Sequence, residues 1–126
     1  MKLTEIVEVL GKIKGVIAVA VADYQTGMIL ASKSNDSSFD LEVAVAGGVG
    51  VMKSKEKLME LVLDDDMIHD VQVNFGNEYE LMCPCQSSNT DEHSDMFFYL
   101  WADRSLANLS IIRRSLFHAR TLVGEN

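Results

Sequence analysis

The segment from Gly47 to Ser54 contains the residue types of a phosphate-binding loop. In the pattern G-x-x-x-x-G-K-[ST], Gly47, Lys53 and Ser54 occupy the first and the last two positions. Backbone amides of such a loop cradle the phosphates of a nucleotide, and the lysine and hydroxyl complete the site. Met52, however, replaces the glycine that must let the backbone approach the phosphates without a Cβ in the way. A nucleotide-binding protein is therefore one interpretation of this segment, and Met52 argues against it.

The second interpretation places the same segment inside one long helix, at about residues 39–62. A glycine inside a helix costs about 1 kcal/mol relative to alanine, so three glycines need a compensating contact. Four residues share one face of this helix through spacings of three, four and seven, namely Ala44, Gly47, Gly48 and Val51. The side chains on that face are small, so the face is nearly flat. It allows close approach either to the sheet of the same chain or to a second copy.

Composition limits the class of protein. The chain has 126 residues, 48% of them hydrophobic, which suits a single domain over residues 1–126. A formal net charge of −8 argues against nucleic acid and anionic membranes as partners, because both attract clustered cations. No apolar run approaches the ~20 residues of a membrane span, and acidic residues interrupt the amino-terminal segment where a signal peptide is apolar. We therefore expect a cytoplasmic protein.

Other residues that could do chemistry do not form a recognisable site. We expect Cys83 and Cys85 to be reduced residues on opposite faces of a strand, and no second cysteine pair completes a metal site. The Asp64–Asp66 run is expected to be solvated charge. The spacing of the three histidines does not match that of a metal site; they are His69, His93 and His118. No G-x-S-x-G motif frames a nucleophile, so we predict no catalytic residue, cofactor or metal.

Basic residues cluster near the end of this acidic chain, at Arg113, Arg114 and Arg120 with His118. They are candidates for contact with an acidic partner surface. The alternative is that they interact with the dipole of a carboxyl-terminal helix, where cations are favourable. The sequence leaves both interpretations open.

Residue patterns predict three helices and five strands. Apolar residues recur at helical spacing over 3–14, and residues 16–32 have the pattern of a β-hairpin. The later predicted elements are the helix at about 39–62, capped by the serines before it, strands at 67–75, 78–85 and 96–102, and a helix from 104 onward. The order α-β-β-α-β-β-β-α suits an α+β fold with one five-stranded antiparallel sheet.

Two segments resemble the roadblock / dynein light chain domain family. Residues 79–84, YELMCP, are similar to the family's strand that contains a tyrosine, an apolar residue and a proline. Residues 97–116, FFYLWADRSLANLSIIRRSL, are similar to its closing strand, acidic–basic pair and Ala-Asn-Leu helix. The opening helix and first hairpin also fit, so the resemblance covers nearly the whole chain. It implies a profilin-like sandwich, with the long second helix on one face and the first and last helices on the other.

The resemblance also implies a homodimer. The second helices of two copies pack together, and the third strand, at the sheet edge, pairs with its twin. An unpaired edge of that length would otherwise favour aggregation. The residues assigned to this contact are Ala44, Gly47, Gly48, Val51, Asp70, Gln72 and Asn74.

The function that the resemblance implies is regulatory. Family members are non-enzymatic scaffolds and regulators of small Ras-like GTPases, and a prokaryotic member stimulates such a GTPase in gliding motility. We expect a related role here. The alternatives are a nucleotide-binding protein that uses Gly47–Ser54 and a structural homodimer without a GTPase partner.

Overall fold

The computed structural model describes residues 1–62, 67–85 and 96–123. It contains three helices and five strands in the predicted order. The elements are α1 (Leu3–Gly11), β1 (Val16–Asp23), β2 (Ile29–Ser34), α2 (Leu41–Val62), β3 (Val71–Asn74), β4 (Glu78–Pro84), β5 (Met96–Asp103) and α3 (Leu109–Val123). The Asp64–Asp66 run and His93 lie outside the described residues.

The strands form one antiparallel sheet in the order β2-β1-β5-β4-β3. β5 lies at the centre, between β1 and β4, and all but two of its side chains are buried. Helix α2 packs on one face of the sheet, and α1 and α3 pack on the other. The predicted fold class and layers are therefore confirmed.

Alternation along the central strands divides the core into two layers. Val19 and Val21 of β1 face α1 and α3, whereas Ala20 between them faces α2. In β5, Phe98 belongs to the first layer and Phe97 to the second. Successive side chains of a strand point to opposite faces, so a continuous apolar run supplies both layers at once.

The junction between α1 and β1 depends on a glycine and an asparagine. Gly15 has φ +91°, and a Cβ there would lie 2.7 Å from the backbone of Ala107. The Gly15 carbonyl accepts a hydrogen bond from the amide of Asp103 at 2.8 Å. Asn35 Nδ2 donates to the Gly11 carbonyl at 2.8 Å, at the end of α1. Only glycine combines this conformation with this close approach.

The start of α2 differs from the sequence prediction. The helix is capped by Asp40, whose Oδ1 accepts a hydrogen bond from the amide of Val43 at 3.1 Å. Ser38 instead donates its hydroxyl to the carboxylate of Asp36 at 2.6 Å, within the preceding loop. The expected serine cap is therefore wrong, because an aspartate closer to the first turn is an equally good acceptor.

Helix α3 begins at Leu109 and not near residue 104. Asn108 caps it, with Oδ1 accepting a hydrogen bond from the amide of Ile111 at 3.2 Å. Leu106, which the prediction placed inside this helix, lies in the preceding turn and is exposed. The helical spacing of the apolar residues extended the predicted helix past its capping residue.

Strand β4 corrects the expectation for the cysteines. Cys83 and Cys85 are free, as predicted, but both are buried in the layer that faces α1 and α3. Residues i and i+2 of an extended segment share a face, so the expectation of opposite faces is wrong. The pairing of β3 with β4 extends only as far as Met82. At Pro84, β4 therefore has no described neighbour on its outer side. The missing amide N–H of proline costs no hydrogen bond to a strand there.

Candidate interaction surface

The segment Gly47–Ser54 lies wholly inside α2. Its backbone amides are therefore used by the hydrogen bonds of the helix and are not arranged to cradle a phosphate. Lys53 Nζ donates to the carbonyl oxygen of Gln25 at 2.9 Å, in the turn after β1. The phosphate-loop interpretation is wrong, and the long-helix interpretation is confirmed.

One of the helical glycines faces the sheet. Gly48 is buried, and a Cβ there would lie 2.8 Å from Met82 Sδ and 3.2 Å from Tyr99 Cε2. Ala44, one turn earlier, is half-buried against the same layer. Gly48 therefore lets α2 lie directly on β4 and β5, where the side chains of Met82 and Tyr99 are fully buried. This contact is packing within one chain.

The opposite side of α2 is exposed and largely apolar. Apart from the neighbouring residues and backbone of α2 itself, a Cβ at Gly47 or Gly50 would meet no described heavy atom within 4 Å. Val43 is 67% exposed and Leu61 is 82% exposed. We define the outer stripe as the exposed residues that recur at helical spacing along this side, namely Val43, Gly47, Gly50, Val51, Ser54, Leu58 and Leu61. Contiguous exposed apolar surface is typical of interaction sites, so the outer stripe is a candidate for one.

The predicted single face of α2 is thus divided between two surfaces. Gly47 and Val51 belong to the outer stripe, whereas Ala44 and Gly48 face the sheet of their own chain. A spacing of one residue turns the helix by about 100°, which moves Gly48 away from Gly47. The assignment of Gly47 and Val51 to a dimer contact stays a prediction. The prediction that Gly48 shares one face with Gly47 is wrong, because Gly48 packs against the sheet.

Strand β3 lies at the edge of the sheet, and among the described residues it pairs only with β4. Its polar residues are joined by side-chain hydrogen bonds. Gln72 Nε2 donates to Asn74 Oδ1 at 2.7 Å, and Gln72 Oε1 accepts from Arg113 at 3.2 Å. Arg113 also forms an ion pair with Asp70 at 2.6 Å. Asp70, Gln72 and Asn74 therefore form one polar row beside α3, and their part in a dimer contact stays a prediction.

Solved structures with this arrangement identify the fold. A Roadblock/LC7 domain from Streptomyces avermitilis matches with a TM-score of 0.79, 10% identity, and coverage of 98% of this chain and 95% of that one. MglB from Myxococcus xanthus matches with a TM-score of 0.80 and 13% identity, over 99% and 94% of the two chains. The chain has the roadblock fold. The gliding protein mglB from Thermus thermophilus also has this roadblock fold, with a TM-score of 0.77, 14% identity, and coverage of 96% and 84%.

The roadblock fold is recognised here from structure. No protein-family model matches the sequence, and no curated protein matches it significantly. At 10–14% identity these likenesses establish the fold of the chain. The names of the neighbours bear on function only as support for a proposal.

The roadblock fold separates the arginines that the sequence placed in one basic cluster. Arg113 and Arg120 both lie over the Phe117 ring, with guanidinium carbons 5.6 Å and 4.8 Å from its centroid. Arg113 is already bound to Asp70. Arg114 lies on another side of α3 and lines a groove between α1 and α3. The structure therefore does not form one basic patch, and a partner contact for these arginines stays a prediction.

The link between α3 and β3 predicts a local effect on stability. Replacing Arg113 with alanine is expected to lower the free energy of unfolding by about 1 kcal/mol, because the pair is only partly buried. Amide exchange in β3 should quicken, since this edge strand loses the hydrogen bond that Arg113 donates to Gln72 and the ion pair with Asp70 just before the strand. Urea unfolding and hydrogen exchange measure the two effects. Arg114→Ala is the matched control, and equal effects of both substitutions would contradict the assignment.

Sequence reasoning missed an aromatic cluster on the α2 side of the roadblock sheet. The Trp101 ring lies 5.1 Å from the ring of Phe39 and 5.1 Å from that of Phe75, between centroids. Tyr99, two residues earlier on the same face, donates its hydroxyl to the carboxylate of Glu80. Burial, with this hydrogen bond, raises the pKa of Tyr99 well above its ordinary value. The alternation of Tyr99 and Trp101 along β5 was the signal that could have indicated the cluster.

Side chains that bind metals do not cluster in the described part of this chain. Within residues 1–62, 67–85 and 96–123, no group of three or more His, Cys, Asp or Glu side chains could hold a metal ion. None of the helices in the same ranges is both long and apolar enough to cross a membrane. His69 precedes β3 and His118 belongs to α3, so the two described histidines lie on separate elements.

Proposed function

We propose that this protein is a non-enzymatic, homodimeric regulator or scaffold that acts on a small Ras-like GTPase in the cytoplasm. The observation that carries the proposal is the exposed outer stripe of α2 together with the β3 edge. Both are surfaces that a second copy of the chain can cover. Neither requires a rearrangement of the described core.

The dimer part of the proposal rests on two surfaces that have no described partner, the outer stripe of α2 and the outer edge of β3. The outer stripe exposes Val43 and Leu61 to water, and burying such side chains favours association. Gly47 and Gly50 have no Cβ, so two helices can approach closely there. The outer edge of β3 carries backbone donors and acceptors that a twin strand can satisfy. A two-fold axis brings each surface against its own copy.

The GTPase part of the proposal is supported by similarity of sequence and of fold to other proteins. The sequence resembles the roadblock / dynein light chain family, whose members regulate small Ras-like GTPases, and MglB proteins share the fold. A homodimer without a GTPase partner is the alternative, and it shares the same surfaces. The two functions differ only in whether a nucleotide-loaded GTPase binds.

The first experiment tests the dimer. Sedimentation velocity at low micromolar concentration is expected to show a dimer for the unmodified chain. Val43→Glu should weaken it at least ~100-fold, because a carboxylate at an apolar contact is costly to desolvate. In the monomer that glutamate lies in the first turn of α2, where negative charge is favourable. Val9→Glu on exposed α1 is the control, and a stable monomer of the unmodified chain would overturn the proposal.

The second experiment tests the GTPase. Ras-like GTPases from the same genome are loaded with GDP or with a non-hydrolysable GTP analogue and titrated with the dimer. The proposal expects saturable binding that depends on the nucleotide, together with a change in hydrolysis, exchange or localisation. Binding that is absent for every GTPase, with the dimer intact, would favour the structural homodimer.

A further inference from the structure

A groove runs between α1 and α3, on the face of the sheet opposite α2. Its volume is about 670 Å³. Apolar side chains form both walls, with Val9 of α1 54% exposed and Ile111 of α3 44% exposed. Because its walls are open to solvent, it is a surface groove and not an enclosed cavity. Nothing in the proposed dimer uses it.

The dimensions of the groove match a helix. Along α3 the lining residues extend from Ile111 to Leu122, which is about 16 Å at 1.5 Å per residue. Along α1 they extend from Ile6 to Leu10, which is about 6 Å, and Ile13 lines the groove from the turn just after the helix. The longer wall, along α3, corresponds to about three turns of a bound helix. Apolar residues at i, i+3, i+4 and i+7 of such a helix would face the groove.

The charge of the lining is opposite to that of the chain. The protein has 19 acidic and 11 basic residues, yet no described carboxylate lines this groove. Its charged lining residue is Arg114, and Ser115 and His118 are the other polar ones. Arg114 is exposed and forms no ion pair among the described residues. A guanidinium beside an apolar groove is suited to a carboxylate that borders an apolar face.

We propose that the α1–α3 groove binds an amphipathic helix of a partner protein, with acidic residues bordering its apolar face. The apolar walls provide affinity, and Arg114 provides the preference for acidic over basic helices. This site lies across the sheet from the outer stripe of α2. A homodimer would therefore present two such grooves while its α2 helices are in contact, and the proposal does not depend on the GTPase.

The test uses the full chain and peptides of defined composition. A helix-biased peptide library, with apolar residues at i, i+3, i+4 and i+7 and random flanking positions, is displayed and selected on the purified protein. The enriched peptide is then labelled with fluorescein, and its affinity is measured by anisotropy. A second version carries lysine at every acidic position. Selected sequences are expected to be rich in Asp and Glu beside the apolar face.

Variants place the peptide in the groove. Val9→Glu and Ile111→Glu should each weaken the acidic peptide at least ~100-fold, because they put a carboxylate into the apolar contact. Arg114→Glu should weaken it about tenfold or more and strengthen the lysine version, since the change reverses the local charge. Val43→Glu on α2 is the control and should leave peptide affinity unchanged. Circular dichroism and thermal unfolding confirm that each variant is folded.

Three results would overturn the proposal. In the first, no peptide is enriched, or the acidic and lysine versions bind equally. In the second, Val43→Glu and not Val9→Glu abolishes binding, which would assign the peptide to α2. In the third, sedimentation shows a higher oligomer that Val9→Glu dissociates, which would make a second copy of the chain the occupant.

Discussion

Replacing Gly48 with leucine is expected to lower the free energy of unfolding by about 3 kcal/mol, because overpacking a filled core forces strain on its neighbours. Even the Cβ would lie 2.8 Å from Met82 Sδ, and both Met82 and Tyr99 are fully buried. Moving α2 outward would relieve the contact but would expose the layer beneath. Chemical unfolding monitored by Trp101 fluorescence measures the loss. A Gly48→Leu protein as stable as the parent would contradict the packing.

The neighbouring Gly47→Leu substitution separates folding from association. Outside the nearby backbone of α2, no described heavy atom lies within 4 Å of a Cβ at Gly47, and leucine is a better helix former than glycine by roughly 0.5–1 kcal/mol. Its monomer should therefore be at least as stable as the parent. If the outer stripes of two copies pack together, the leucine separates them and sedimentation shows monomers. Gly48→Leu and Gly47→Leu thus give opposite results, although both put the same side chain on the same helix.

The second large effect is a loss of stability at high pH. Burial raises the pKa of Cys83 to about 11 and that of Cys85 to about 12, from an ordinary value of 9.0. Below pH 9 both thiols are protonated in the folded and unfolded states, so they do not make the free energy of unfolding depend on pH. Above pH 9 only the unfolded chain ionises them, so stability falls by about 1.4 kcal/mol per thiol and per pH unit, until the pH reaches the folded pKa of that thiol.

A narrow pH interval isolates this effect. Burial also raises the pKa values of Tyr24 and Tyr99, from an ordinary value of 10.0. From pH 9 to about 9.5 the tyrosines are largely protonated in both states, so most of the change in stability there belongs to the thiols. A Cys83→Ala/Cys85→Ala protein should lose the steep decline in this interval. An unchanged decline would show that other groups cause it.

Residue patterns contained enough information for the order of the elements, and the family resemblance implied their layering. Long apolar runs at β1 and β5 required strands covered on both faces, and the apolar stripe from Leu109 to Val123 required a helix on the sheet. Met52 was also decisive, since its side chain is incompatible with a phosphate loop and is fully buried in α2. Periodicity and residue chemistry agree at each of these positions.

The errors about the arginines and about the glycines of α2 come from contacts between residues that are far apart in the sequence. Arg113 and Asp70 are 43 positions apart, and only the packing of α3 beside β3 joins them. Likewise, Gly47 and Gly48 are identical residues in the same local sequence, but only Gly48 lies against the sheet. Local patterns specify that a helix has an apolar side. They do not specify which of two adjacent glycines meets β4 and β5.

The central position of β5 has a consequence for synthesis. The β1–β2 and β3–β4 hairpins can each form early, because their strands are close in sequence. The two hairpins have no strand contact with each other until β5 is inserted between β1 and β4. A nascent chain that has not yet released Met96–Asp103 from the ribosome therefore exposes two unpaired apolar edges. We therefore expect the sheet of this chain to be completed late in translation, when β5 joins the two hairpins.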